Sequence, residues 1–189
     1  MLELNDVLLE GERSTLSLMA REGQLTCLVP VANPLPPSSA QRWLYALLGF
    51  ERVVCGYISI DGEPLTPSSA HTMRRLMAFA PDRLDDVGEI EVYEAPVADD
   101  VFSLRFNRRH PVSDDQLSEE MRRTGATGDR ARLLALAVLL GRPILLVYCP
   151  EASSADYLRQ QARKGRTVIV VSDDATIIHA ADNVVELPT

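Results

Sequence analysis

The stretch LLALAVLLGRPILLVYCPEASSAD, residues 133–156, decides how this chain folds. Its first part continues an apolar helical pattern that starts at residue 129 and ends at Gly141, and glycine is typical of the position just after a helix. A continuous apolar run follows at 143–149, as in a parallel strand that is covered on both faces. A further helix is predicted over 153–165. The order of helix, buried strand and helix indicates a parallel α/β sheet.

Outward from this stretch, short strands and helices continue in both directions. Towards the carboxyl end the pattern predicts a buried strand at 166–172, a helix at 174–182 and a strand at 183–188. Towards the amino end it predicts strands at 2–4, 15–20 and 24–29, a helix at 40–48, a strand pair at 53–65 turning at Asp61-Gly62, a helix at 68–76 and a strand at 76–81. Ser38 with Gln41 fits a capping box before the helix at 40–48, and Gly49 fits its end.

Residues 82–127 differ in character from the rest of the chain. Residues 82–100 hold eight acidic residues against one arginine. Ser113 and Gln116 form a second capping box in front of an amphipathic helix over 113–123, and no strong strand is visible. We expect a small, mostly helical insert here. The acidic part either faces a basic partner or is a solvated surface, and the sequence leaves both readings open.

Composition narrows the class of protein. The chain has 189 residues, 46% of them hydrophobic and 24% charged, which suits one globular domain with a small insert. Its net charge of −8 argues against nucleic acid as the main ligand. No apolar run is long enough for a membrane span, and the acidic start does not resemble a secretory signal, so a cytoplasmic protein is expected.

The cysteines and histidines indicate no metal site. Cys27, Cys55 and Cys149 lie in apolar, strand-like stretches without a C-x-x-C spacing, so we expect three buried, reduced thiols. The three histidines are far apart in sequence and have no ligand spacing. Lysine occurs once, at Lys164, beside eighteen arginines, so any motif that needs lysine elsewhere is missing.

Taken together, the segments resemble the ATPase domain of ATP-binding cassette (ABC) transporters. Residues 133–156 resemble the stretch from the signature helix through Walker B to the D-loop, and 164–187 resemble the switch-histidine strand and the segment after it. The segments at 21–29, 44–50 and 56–65 resemble those around Walker A. The resemblance covers nearly the whole chain. It implies one domain over 1–189, with a P-loop NTPase-like α/β fold, a mainly parallel sheet, antiparallel strands at the amino end and a shortened helical subdomain within 82–127.

The Walker A position departs from the family's motif, G-x-x-x-x-G-K-[ST]. It falls on residues 34–41, where Pro34 and Ser39 stand in the glycine places, Ala40 in the lysine place and Gln41 in the Ser/Thr place. Prolines have no N–H group to donate to a phosphate. Each lost charge-assisted hydrogen bond would be worth roughly 1.5–3 kcal/mol.

The other motifs depart as well. Cys149 and Pro150 occupy the Walker B aspartate and glutamate places, and Glu151 comes one residue late. Asp82 falls on the Q-loop glutamine and Asp173 on the switch histidine. The signature becomes GATGD, Gly125 to Asp129, and no aromatic residue stands near the amino end to stack on adenine. The D-loop keeps a near match in residues 153–156.

The resemblance therefore implies a degenerate ABC ATPase-like protein. We expect no catalytic residue, no cofactor and no metal, with function in protein contacts to an intact ABC ATPase or a permease, and no insertion into the membrane. Such a protein is cytoplasmic or peripheral at the inner membrane. The interface residues that the resemblance implies are Gly125, Gly128, Ser153 and Asp156.

Two alternatives stay open at this point. A divergent subunit could still bind or slowly hydrolyse ATP, with Arg42 in place of the lysine. A different enzyme could use Ser38, Ser39 and either Asp82 or Asp173 in the vacated cleft. The partner, the transported substance and the oligomeric state are not legible in the sequence.

Overall fold

The computed structural model describes residues 1–31, 37–83 and 113–188, with only the backbone at 37–39. The strands are β1 Leu2–Leu9, β2 Leu16–Ala20, β3 Leu25–Val29, β4 Val53–Ile60, β5 Glu63–Pro64, β6 Met77–Ala80, β7 Ile144–Tyr148, β8 Thr167–Val171 and β9 Asn183–Glu186. The α-helices are α1 Pro37–Leu47, α2 Ala70–Arg74, α3 Asp114–Thr124, α4 Gly128–Leu139, α5 Ala155–Arg163 and α6 Ala175–Ala180, with a 3₁₀ turn at Ala152–Ser154.

Five strands form a parallel sheet in the order β6-β7-β8-β3-β9. Every pair in it is parallel, because each strand is followed by a crossover to the next. Strand β7 lies between β6 and β8 and all five of its residues are buried. Its apolar run fits this position, since both faces are covered. The prediction of a central, buried strand here is confirmed.

The amino-terminal strands form a second, antiparallel sheet in the order β2-β1-β4-β5. Strands β4 and β5 are joined by a tight hairpin whose two central residues, Asp61 and Gly62, have φ of 51° and 84°. This is the geometry that an Asp-Gly pair favours, so the predicted turn is confirmed. Near the middle of β4 the pairing with β1 shifts, and a Cβ at Gly56 would lie 2.3 Å from the carbonyl oxygen of Asn5. Only glycine fits there.

Helices cover both faces of the parallel sheet. On one face, α1 packs between the two sheets, with Trp43 and Leu44 against the side that carries Leu146 and Ile169. On the other face α4, α5 and α6 cover the alternate residues of the same strands, in a second cluster that includes Leu134, Leu145, Leu158, Val168 and Ile177. Because successive side chains of a strand point to opposite faces, the parallel sheet has an apolar cluster on each face.

Several helix boundaries follow the sequence signals and others do not. The capping box of Ser113 and Gln116 is formed in front of α3, as predicted. Gly49 has φ of 77° just after α1, as predicted for a helix end. Helix α1 begins at Pro37, however, three residues earlier than predicted, so Ser38 lies inside the first turn. Proline suits that first position, because the first N–H of a helix has no partner within it.

The predicted burial of the three cysteines is wrong for Cys55. Cys27 is buried and Cys149 is half-buried, but Cys55 is exposed. It lies in the first half of β4, where residues 54–57 are exposed although the sequence there is apolar. The pairing irregularity beside Gly56 interrupts the alternation of faces, and local apolar pattern does not reveal such an irregularity.

The fold class predicted from the sequence is confirmed: an α/β domain with a parallel central sheet and antiparallel amino-terminal strands. Of the insert predicted over 82–127, the structure describes 82–83 and 113–127, including α3. The prediction of a shortened helical subdomain otherwise lies outside the described residues. None of the helices described is both long and apolar enough to cross a membrane.

Candidate functional site

Three of the altered motif positions lie where the strands of the parallel sheet have their carboxyl ends, which we call the carboxyl edge of the sheet. Asp82 follows β6, Cys149 follows β7 and Asp173 follows β8, and these strands are neighbours. The Cys149 N–H donates to the Val171 carbonyl at 2.9 Å, which extends the β7–β8 pairing to this edge. The carboxyl ends of such strands are where α/β folds bind ligands. The three residues therefore follow the carboxyl ends of three neighbouring strands.

Cys149, at the Walker B aspartate position, has an unusual backbone conformation and a thiol that ionises less readily than a free one. Its φ is 46°, in the left-handed region that few side chains other than Asn, Asp and Gly adopt. Burial raises the pKa of the thiol, and the nearby charges of Asp82 and Asp173 raise it further, against a hydrogen bond with Tyr148 that lowers it. The side chain is therefore a neutral thiol at neutral pH, and a thiol is a poor ligand for a hard cation.

The two carboxylates of this edge differ in their surroundings. Asp82 has a side chain that is 13% exposed, and its carboxylate lies 3.8 Å from the Arg130 guanidinium. Asp173 is exposed. The next residue, Asp174, caps α6 by accepting hydrogen bonds from the N–H groups of Thr176 and Ile177 at 2.8 and 3.3 Å. Asp174 thus has a structural role, and Asp173 faces solvent beside it.

Glu151, which comes one place after the Walker B glutamate position, is bound to the signature position. Its carboxylate accepts from both the N–H and the hydroxyl of Thr127, at 3.2 and 3.1 Å. Thr127 is the residue before α4, so Glu151 adds negative charge at the amino end of that helix, where it is stabilising. Sequence reasoning missed this contact, because the two residues are 24 positions apart.

The four residues predicted for a partner interface lie on the surface, and two of them touch. Gly125, Gly128, Ser153 and Asp156 are all exposed. Gly125 ends α3 with φ of 73°, and a Cβ on it would lie 2.3 Å from the Ser153 carbonyl oxygen. The turn at the signature position and the D-loop position therefore meet in one continuous surface, which we call the turn surface (residues 125–128 and 153–156).

The Walker A position is described only from its second half. Pro34 lies outside the described residues, as do the side chains of Ser38 and Ser39, so the alternative with these serines has no geometry here. Ala40 is buried, with 6% of its surface exposed. Gln41 donates to the Tyr45 hydroxyl at 2.8 Å, one turn along the same helix. Its amide is therefore engaged within α1.

Arg42, the residue considered as a substitute for the lysine, is held by acidic groups of the amino-terminal sheet. Its guanidinium donates to the Glu12 and Glu51 carboxylates at 3.2 and 2.9 Å and to the Glu10 carbonyl at 2.7 Å. The hydrogen bond to Glu51 raises the pKa of Arg42. These contacts, which we call the Arg42 clamp, tie α1 to the loops at 10–12 and 50–52. A role for Arg42 at a phosphate would require it to leave all three acceptors.

The space beside Cys149 is small. A cavity of about 10 Å³ is lined by residues that include Arg130, Cys149, Glu151 and Ser154. This is room for roughly one water molecule. The Ser154 hydroxyl is buried there without a hydrogen-bond partner in the described part of the chain. Among the described residues, no group of three His, Cys, Asp or Glu side chains could hold a metal ion.

Solved structures share the fold of this chain, whereas the sequence comparisons find no match. No protein-family model matches the sequence, and a search of curated proteins finds no match. Among solved structures, the chain is similar to an ATP-binding subunit of an ABC transporter, with a TM-score of 0.67 and 16% identity, over 99% of this chain and 85% of that one.

Two further structures agree. The chain is similar to cbiO1 from Clostridium perfringens, part of the ABC transporter complex cbiONQ, with a TM-score of 0.68 and 12% identity, over 99% of this chain and 84% of that one. It is also similar to the bacterial ABC transporter cassette MJ0796 in a dimeric structure, with a TM-score of 0.65 and 15% identity, over 99% and 94% of the two chains. At such identities the likeness establishes the fold. This chain therefore has the fold of the ATP-binding subunits of ABC transporters.

Proposed function

We propose that this chain is a catalytically degenerate ABC ATPase-like subunit that acts through contacts with another protein, either an intact ABC ATPase or a membrane permease. The observation that carries the proposal is the end of the central strand. Strand β7 is buried and correctly paired, yet Cys149 and Pro150 follow it where the resemblance puts a magnesium-binding aspartate and a catalytic glutamate. A proline has no group that could act as a base, and losing a general base typically costs about 10²–10⁴-fold in rate.

The charges around this edge support the same proposal. Asp82 and Asp173 stand at the Q-loop and switch positions, and both act electrostatically on Cys149. Their negative charges repel a polyphosphate, while the cation nearest in sequence to the missing lysine, Arg42, is bound to Glu12 and Glu51. Glu151 is likewise occupied, by Thr127. Each of these charged groups has a competing contact or the wrong sign for nucleotide chemistry.

The relatives in fold support a partner protein. One of them is described as part of the complex cbiONQ, and another as a dimer. On the turn surface of this chain, Gly125, Gly128, Ser153 and Asp156 are exposed. A subunit without chemistry of its own could contribute this surface to a mixed assembly. Such an assembly would lie at the cytoplasmic face of a membrane if the partner is a permease.

The first test is nucleotide binding. A ligand present at 100 times its Kd stabilises a protein by about 2.7 kcal/mol, which a melting curve detects readily. We expect no change in Tm with millimolar MgATP or MgADP, measured beside an intact ABC ATPase as the positive control. A clear rise in Tm would instead support a divergent subunit that still binds ATP, with ATP and magnesium as cofactors. Phosphate release measured in the same samples separates binding from slow hydrolysis.

A further inference from the structure

Helix α3 is joined to helix α5 by a partly buried hydrogen bond. The Tyr157 hydroxyl, on α5, donates a hydrogen bond to the Glu120 carboxylate, on α3. Only 5% of Tyr157 is exposed, and 12% of the Glu120 side chain. A hydrogen bond to a carboxylate is among the stronger kinds, and more so away from water. Its loss would leave the carboxylate half-enclosed without its main donor.

Charged neighbours surround this contact on both sides. On α3 itself, the Arg123 guanidinium lies 3.6 Å from Glu120 and 3.1 Å from Glu119. On the core side, the half-buried Arg166 donates to the Val138 carbonyl at 3.0 Å, and its charge is felt by Tyr157 and Glu120. Burial and Glu120 together raise the pKa of Tyr157, so its hydroxyl keeps its proton and stays a donor over the working range of pH.

Two further contacts attach the next segment of chain to the same place. Gly125 approaches the Ser153 carbonyl so closely that no Cβ fits, and Thr127 is bound to Glu151. Together the three contacts fasten residues 120–127 to residues 151–157. All three contacts are made between groups of this chain.

We propose that the hydrogen bond between Tyr157 and Glu120 is a latch that holds α3 and the turn after it on α5, so that the turn surface is assembled without nucleotide. The proposal rests on the proposed function only for the use of that surface by a partner; the latch itself is a property of the folded chain. Of the three contacts, this hydrogen bond is the one made between the helices α3 and α5 themselves.

Hydrogen exchange tests the latch directly. Tyr157→Phe removes the hydroxyl and keeps the ring, and Tyr57→Phe is the matched control, because Tyr57 is 47% exposed. A charge-assisted hydrogen bond corresponds to about a tenfold or larger change in a local opening equilibrium. We expect Tyr157→Phe to speed exchange in 117–126 by about that factor, with β7 and β8 nearly unchanged, and Tyr57→Phe to leave 117–126 as in the wild type.

The proposal is overturned if Tyr157→Phe leaves exchange in 117–126 unchanged, or speeds it equally in β7 and β8, which would indicate only a loss of global stability. If Tyr157→Phe does not fold, Glu120→Gln replaces it in the test. This variant keeps an acceptor but removes the charge, so we expect a smaller increase of exchange in 117–126. Unchanged exchange there in Glu120→Gln would also overturn the proposal. Adding MgATP to the wild type separates the two proposals. Slower exchange at 37–48 with ATP would count against the proposed function alone, whereas slower exchange confined to 117–126 would count against a latch that needs no nucleotide.

Discussion

Glu151 and Arg42 show how single charged side chains serve the fold around motif positions whose chemistry has changed. Glu151 binds the residue that precedes α4, and Arg42 joins α1 to two loops of the amino-terminal sheet. Both contacts link residues that are distant in sequence, so no local pattern could have revealed them. The prediction that Cys149 and Pro150 do not support magnesium binding or base chemistry depends only on residue type and register, and it stays a prediction.

Gly125 provides the sharpest test of the turn surface at the residue scale. In Gly125→Ala, the left-handed backbone costs about 1 kcal/mol and the contact with the Ser153 carbonyl adds about 1–3 kcal/mol. The matched control is Gly141→Ala, since Gly141 also follows a helix, has φ of 68° and has no atom within 4 Å of a Cβ. We expect urea denaturation to show a larger loss for Gly125→Ala. Equal losses would mean that the approach of the turn to the D-loop is not tight.

Cys27 gives a prediction for alkaline pH. Burial raises the pKa of its thiol to about 11, and the thiol lies 3.7 Å from the Ser172 carbonyl. An unfolded cysteine ionises near pH 8.5, so between about pH 8.5 and 11 only the unfolded chain loses the proton. Stability is therefore intact below about pH 8.5 and falls as pH rises through this window, by about 3 kcal/mol at pH 11.

The matched variant isolates this contribution. Cys27→Ala has no thiol, so its unfolding free energy should fall less steeply with pH than that of the wild type, whatever its starting stability. Denaturant titrations at about pH 8 and 11 measure the difference, and groups common to both proteins, such as Tyr157, cancel. Parallel curves for the two proteins would show that the thiol is not held neutral in the fold.

At the scale of elements, the sequence predicted what is periodic and missed what is irregular. The buried runs of β6, β7 and β8, the capping box of α3 and the Asp61-Gly62 turn all follow from local pattern. The early start of α1 at Pro37 and the exposure of Cys55 do not. The exposure of Cys55 depends on a shift in pairing between β1 and β4. Ser69, the residue before α2, accepts from the N–H of Thr66 and makes no cap bond.

The Arg42 clamp predicts how α1 is held to the amino-terminal sheet. Arg42→Ala should lower the unfolding free energy by about 1–3 kcal/mol, since three hydrogen bonds are lost and the Glu12 side chain, 9% exposed, is left without its cation. Arg52→Ala is the control. Arg52 is 77% exposed, and its pair with Glu10 spans 3.6 Å, so its loss should cost well under about 1 kcal/mol.

Salt dependence adds a second measurement for the clamp. The penalty for Arg42→Ala should persist in about 0.5 M salt, because partly buried pairs are screened less than exposed ones. Equal, small losses for both arginine variants would indicate that α1 is held by its apolar face alone, through Trp43 and Leu44.

At the scale of the whole molecule, the described part of the chain forms two sheets and two apolar clusters, although its motif positions depart from the pattern of the family it resembles. The alternation of strands and helices was sufficient to predict the parallel α/β sheet, because it reflects burial, whereas the antiparallel amino-terminal strands were implied by the family resemblance. For the site, the sequence indicated which positions to consider but not how these positions are arranged in space. How the turn at 125–128 meets the D-loop depends on the packing of α3 against α5, which periodicity does not encode.

Oligomeric state is where the whole molecule tests the proposed function. The resemblance implies dimers held largely by ATP between one subunit's Walker A and the other's signature, and in this chain both positions are altered. We therefore expect light scattering to give the same mass with and without MgATP, and a tight ATP-dependent homodimer would overturn the proposed function.

With an intact ABC ATPase encoded beside it, we expect a mixed complex that uses the turn surface. Replacing Ser153 and Asp156 by tryptophan should abolish that complex, whereas Glu63→Trp, on the exposed strand β5, should leave it intact. Loss of binding in all variants alike would indicate misfolding, and retention in all would place the interface elsewhere on the molecule.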